Sequence, residues 1–127
     1  NGVDLNRMVM LIAVLEKKAG LALYNQDAYL NVVGGLRLTE PAADLAVAAA
    51  LASSLRNAPI GETAVFGEVG LTGEVRAVGH GDKRIAECVR MGFSRCVLPR
   101  DNLKALRDRP AIELIGVERV REILNLL

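Results

Sequence analysis

Apolar positions are grouped along the chain so that their spacing predicts its elements. Met8–Leu15 is apolar throughout, preceded by Asp4 and Asn6 and followed by Lys17, Lys18 and Gly20. A capping residue, lysines in the last turn and a glycine stop predict a helix sandwiched between other elements. Leu21–Tyr24 and Tyr29–Val33 flank the turn-forming Asn25-Gln26-Asp27 and predict two short strands, with Leu36–Thr39 resuming after Gly34-Gly35. Thr39-Glu40-Pro41 opens a second helix, where proline is acceptable in the first turn. From Ala42 to Ala52 ten of eleven residues are apolar and seven are alanine. Such small side chains predict a tightly packed central helix, ending near Leu55 before Asn57 and Pro59.

The second half alternates more quickly. Ala64–Val69 and Glu74–Val78 predict the strands of a hairpin around Gly70-Leu71-Thr72-Gly73. Gly81-Asp82 starts a third helix, with Ile85, Cys88 and Val89 on one face, Lys83, Arg84, Glu87 and Arg90 on the other, and Gly92 at its close. Arg95–Leu98, stopped by Pro99, and Ile112–Ile115 are further strands. Val117, Val120, Ile123, Leu124 and Leu127 mark the stripe of a last amphipathic helix. The irregular alternation predicts one α/β or α+β domain over residues 1–127, with parallel and antiparallel pairings and no linker or repeat.

Composition narrows the function classes. The 127 residues are 51% hydrophobic and only 3% aromatic, so the core is aliphatic and base-stacking platforms are excluded. Cys88 and Cys96 read as free thiols of a reducing cytoplasm, and one histidine cannot complete a Cys/His metal cluster. The longest apolar runs, Met8–Leu15 and Leu45–Ala52, are too short to span a bilayer, and there is no signal peptide. A start at Asn1 rather than methionine suggests a piece of a longer chain.

Catalytic chemistry is sparse. The nucleophile or base candidates are Ser53, Ser54, Ser94, the two cysteines and His80. Ser53 and Ser54 sit late in the alanine-rich helix, where carbonyls one turn back satisfy such hydroxyls. His80, between Gly79 and Gly81 at a helix entrance, reads as a turn residue. Gly67, Gly70 and Gly73 form GxxGxxG inside a hairpin, not a dinucleotide fingerprint before a helix.

Several motifs carry a family resemblance. Asn1-Gly2-Val3-Asp4-Leu5-Asn6-Arg7, Val32-Val33-Gly34-Gly35, Thr39-Glu40-Pro41 and the quite specific segment Phe66 to Arg76 resemble the C-terminal domain of bacterial RadA (Sms) proteins. That domain is similar to the Lon proteolytic domain. The resemblance implies an α+β, ribosomal protein S5 domain 2-like fold, a mixed sheet packed with helices. Lon places its serine in G-P-S-A-G, which matches Glu40-Pro41-Ala42-Ala43-Asp44, so Ala42 takes the nucleophile position. The Lon lysine segment G-G-L-K-E-K matches Gly79 to Arg84, so Arg84 takes the lysine position. Alanine has no hydroxyl and arginine does not deprotonate, so the Ser/Lys dyad is degenerate and no catalytic residue is expected.

Charge is uneven. The formal net charge of +1 divides into −3 over residues 1–75 and +4 over residues 76–127. The basic side chains are densest from Arg76 to Arg109, led by Arg76, Lys83, Arg84, Arg90, Arg95, Arg100 and Lys104. One reading is a phosphate-backbone surface, with Arg76, Lys83, Arg84, Arg90 and Arg95 as DNA-binding candidates. The other is a solvated face balanced by local pairs such as Lys83 with Glu87.

Taken with the resemblance, the expectation is a proteolytically inactive scaffold of a DNA repair and recombination ATPase. In such a protein it supports a hexameric homo-oligomeric ring and non-specific contact with duplex or branched DNA during branch migration. ATP, magnesium and zinc, and a zinc finger with a RecA-like core, belong upstream. No metal or cofactor is expected in this chain. Partners would include a recombinase and recombination intermediates, in the cytoplasm and away from membranes. The alternatives are an oligomerisation module without DNA contact and an active Lon-type peptidase.

Overall fold

A computed structural model of the chain describes residues 41–58, 63–108 and 110–127. The expected first helix, the strands Leu21–Tyr24, Tyr29–Val33 and Leu36–Thr39, and the break at Pro59 lie outside these residues.

The alanine-rich stretch enters through a 3-10 turn, Pro41–Ala43, and continues as helix α1, Asp44–Arg56. Leu45, Val47, Ala48, Ala49, Leu51 and Ala52 are buried, so the expectation of a packed central helix is met. Small residues on several sides let neighbouring backbones approach. The helix ends where Asn57 takes the left-handed conformation. Ser53 departs from expectation. Its hydroxyl donates forward to the Ala58 carbonyl at 2.5 Å, because the turn after the helix leaves that oxygen needing a partner.

Three strands form a parallel sheet in the order β1 (Thr63–Val65), β4 (Arg95–Pro99), β5 (Glu113–Val117). Strands β2 (Glu68–Val69) and β3 (Val75–Arg76) form a separate antiparallel hairpin. The reading of Ala64–Val69 as one hairpin strand is therefore corrected: the run splits at Phe66-Gly67. Gly67 has φ +149, its N–H donates to Ala42 O at 2.8 Å, and its carbonyl accepts from Leu45 N–H at 2.9 Å. A Cβ there would lie 3.1 Å from Pro99 Cγ and 3.3 Å from Leu45 Cδ2. The chain thus leaves the parallel sheet at the only residue type that fits, handing its polar groups to the start of α1.

Helix α2, Gly81–Arg90, starts after His80 in the left-handed region (φ 62) and closes through Gly92, as expected. Helix α3, Arg100–Lys104, follows β4 directly. The sequence reading held no helix there, since five residues after Pro99 are too few for a periodic signal. The last amphipathic stripe also differs. Val117 ends β5, and Val120–Leu126 winds as a 3-10 helix that buries Val120 and Ile123.

Alternating residues of the strands feed two cores, as period-two geometry requires. Val97 and Val117, with Val65 and Ile115, pack with α1, the hairpin and the 3-10 helix. Cys96 and Leu98, with Ala64 and Leu114, pack on the other side with Phe66, Ile85 of α2 and Leu103 of α3. The result is an α+β arrangement with a parallel sheet packed by helices, in line with the expected class.

Candidate functional site

Ala42 and Arg84, the residues expected at the dyad positions, both contact the Phe66-Gly67 turn. Ala42 sits in the 3-10 turn at the head of α1, only 5% exposed, with its carbonyl holding the Gly67 N–H at 2.8 Å. Arg84 lies in the first half of α2. Its Nε donates to the Gly79 carbonyl at 2.8 Å, and its guanidinium carbon stands 5.9 Å from the centre of the Phe66 ring. One side of the turn is therefore bonded to Ala42 and the other is covered by Arg84. Neither side chain can attack a carbonyl or accept a proton.

Other reactive groups do not complete a site. His80 is exposed at the N-cap of α2, where its side chain makes no capping bond and its carbonyl accepts from Arg84 N–H at 3.0 Å. Lys83 is exposed on the adjacent turn. Cys88 is half-buried on α2 and Cys96 is fully buried on β4, with their thiols in contact. Burial first, then the neighbouring Cys88 sulfur, pushes the Cys96 thiol up to about 12; burial raises Cys88 as well. Both stay protonated at neutral pH and are poor nucleophiles. Among the described residues no group of three or more His, Cys, Asp or Glu side chains is placed to hold a metal ion.

Asp44, the first residue of α1, is almost completely buried and its Oδ2 accepts the Val69 N–H at 3.1 Å. It ties the head of the helix to the hairpin. A buried carboxylate so close to the Ala42 position is thus bound into the scaffold.

The DNA-binding candidates are dispersed. Lys83, Arg84 and Arg90 share α2, Arg76 lies on β3, and Arg95 begins β4. Arg90 binds Glu87 through two nitrogens, Nε at 2.8 Å, so Glu87 pairs with Arg90 and not with Lys83 as the sequence suggested. Arg95 Nε donates to Thr63 Oγ1 at 2.6 Å, half-buried between β4 and β1. Arg76 reaches Glu74 at 3.2 Å. The Glu74 carboxyl is held at about 2, chiefly by the Thr72 hydroxyl and further by Arg76 and the Thr72 N–H.

Residues 22–127 match the Lon protease (S16) C-terminal proteolytic domain family. The chain belongs to that family. It is 50% identical over 125 residues, 98% of its length, to the DNA repair protein RadA of Halalkalibacterium halodurans and to that of Bacillus subtilis. It is 47% identical over the same length to the DNA repair protein RadA of Streptococcus pneumoniae. The chain spans 27% of the first two relatives and 30% of the third. The resemblance carried by Phe66 to Arg76 is borne out.

Within this Lon-type domain, sequence reasoning missed one cluster. Arg100 on α3 and Arg119 beyond β5 line a groove together with Arg76. Arg119 and Arg121 fall outside the dense basic stretch, so charge counting along the chain did not select them. The backbone bridge between Glu74 and Arg119, with the bonds from Val75 to Glu118 and from Val120 to Gly73, brings them beside Arg76.

Proposed function

We propose that this chain is the proteolytically inactive Lon-like scaffold of a RadA-type DNA repair protein, supporting ring assembly and sequence-independent contact with DNA. The observation that carries the proposal is Ala42: it occupies the position matched to the Lon serine, and it is buried with its carbonyl bonded to Gly67. Arg84 at the lysine position supports the same reading. Its contacts with Gly79 and Phe66 are those of a structural side chain. The likeness to DNA repair proteins RadA supports the biological setting.

The remaining length of those relatives is where an ATPase core and zinc finger would lie, and ATP, magnesium and zinc would bind there. In the full-length protein the assembly would be a hexamer that hydrolyses ATP while moving branched DNA, in the cytoplasm, beside a recombinase and its recombination intermediates. The experiment compares the full-length protein with a version lacking this domain. Expected results are hexamers by native mass spectrometry and salt-dependent binding to duplexes and four-way junctions, both reduced by the deletion. Unchanged assembly and unchanged binding after the deletion would overturn the reading.

A second reading, an oligomerisation module without DNA contact, is favoured by one observation. Arg90 is paired with Glu87, while Arg84 and Arg95 are engaged within the domain. It predicts that deletion lowers assembly but leaves the affinity of each subunit for DNA intact.

A further inference from the structure

We propose that the phosphate-backbone contact lies in a groove beside the hairpin stem, centred on Arg119, and not on α2. This rests on the nucleic-acid reading above and locates its surface. The segment after β5 is stitched to the hairpin: Val75 N–H donates to Glu118 O at 2.8 Å, Val120 N–H donates to Gly73 O at 2.8 Å, and Glu74 bridges to Arg119. Two open grooves, of about 350 and 270 Å³, meet at Arg119. The first is lined by Arg76 and Arg100 with Glu74, Asp101 and Glu118; the second extends the lining to Arg121. Arginines of β3, α3 and the segment before the 3-10 helix thus line two adjoining grooves that share Arg119.

Two of the three acids that line the first groove, Glu74 and Glu118, are already occupied. Glu74 accepts from Thr72 Oγ1 at 2.7 Å, from the Thr72 N–H at 3.2 Å and from Arg76 at 3.2 Å. Glu118 pairs with Arg100 at 2.5 Å. Glu122 accepts the backbone N–H groups of Glu118, at 2.8 Å, and Arg119, at 2.5 Å. Asp101 is the third acid of the first groove's lining. Arg119 and Arg121 are exposed and have no acidic partner among the described residues. A guanidinium left without a carboxylate, in an open groove without aromatic side chains, fits a phosphodiester oxygen and offers nothing for stacking or base readout. On α2, Arg90 is paired with Glu87 and Arg84 is engaged with Gly79 and Phe66, so exposed Lys83 is the one DNA-binding candidate of that helix with no partner shown among the described residues.

The test is titration of a labelled random-sequence duplex against the full-length protein across a salt series. Arg119→Ala with Arg121→Ala should lower affinity about tenfold near 0.1 M salt and reduce the slope of log affinity against log salt by about 2. Arg119→Lys with Arg121→Lys keeps both charges, should retain most of the affinity, and guards against misfolding as the cause. Lys83→Glu with Arg84→Glu should change the slope far less. If the α2 variant loses affinity while the Arg119 and Arg121 variant does not, the groove assignment is wrong and the DNA reading stands. If neither variant changes affinity or slope, both are overturned.

Discussion

Arg84 covers Phe66 with its guanidinium carbon 5.9 Å from the ring centre, while its Nε binds the Gly79 carbonyl at 2.8 Å. The Arg84 side chain therefore holds the entrance of α2 against the Phe66-Gly67 turn. Arg84→Ala removes the bond to Gly79 and the cation–π contact with Phe66, and should lower stability by about 1 kcal/mol or more. Arg84→Lys should not restore it, since an ammonium cannot reproduce the planar fork. Urea denaturation of the three proteins measures the difference.

Asn102 on α3 pairs with both backbone groups of Val78, accepting its N–H and donating to its carbonyl, each at 2.9 Å. The amide stands in for a neighbouring strand where the hairpin leaves its sheet. Asn102→Ala leaves two half-buried backbone groups unpaired and should cost about 2 kcal/mol in chemical denaturation. Gly81→Ala should be destabilising as well, since its Cβ would lie 2.9 Å from Asn102 Nδ2.

Glu74 titrates at about 2 in the folded chain, below the usual 4.5, because Thr72 and Arg76 favour the carboxylate. A depressed folded-state value means the stabilisation is present above pH 4.5 and is lost as pH falls toward 2. Thr72→Val removes the largest contributor and should raise the Glu74 pKa toward its ordinary range. An NMR titration of the Glu74 carboxyl checks this.

The Cys88 and Cys96 thiols should be slow to alkylate in the native chain and fast once it is unfolded, by mass spectrometry with iodoacetamide. Their raised values carry a pH consequence of the opposite sign to Glu74. The neutral thiol of Cys96 is favoured by burial, so its contribution is complete below pH 9 and lost as pH rises from 9 toward 12.

Much of the described fold was legible in the sequence, because periodicity and punctuation agreed. The alanine run, the helix from Gly81 to Gly92 and the strand ending at Pro99 all join a local signal to the burial it predicts. Ala64–Val69 misled because strand-forming residues on both sides of Gly67 do not reveal that the glycine turns the chain from one sheet to another. Helix α3 was too short to show a period, and the final turn of apolar residues tightened into a 3-10 helix that periodicity alone could not distinguish. At the candidate site, the Ala42 and Arg84 positions came from motif resemblance, and the structure joins them through Phe66-Gly67. Arg119 was invisible as a neighbour of Arg76, since 43 positions of chain separate them and the two segments meet through backbone pairing at Glu74, Val75 and Gly73.

The most direct measurement is hydrolysis of an unfolded protein substrate by the purified full-length protein, with ATP, magnesium and duplex DNA present. No cleavage above a protein-free blank is expected, and Ala42→Ser alone should not create any, because Arg84 cannot serve as the base. ATP-dependent cleavage by the unaltered protein, persisting through repeated purification, would contradict the assignment of an inactive Lon-like scaffold.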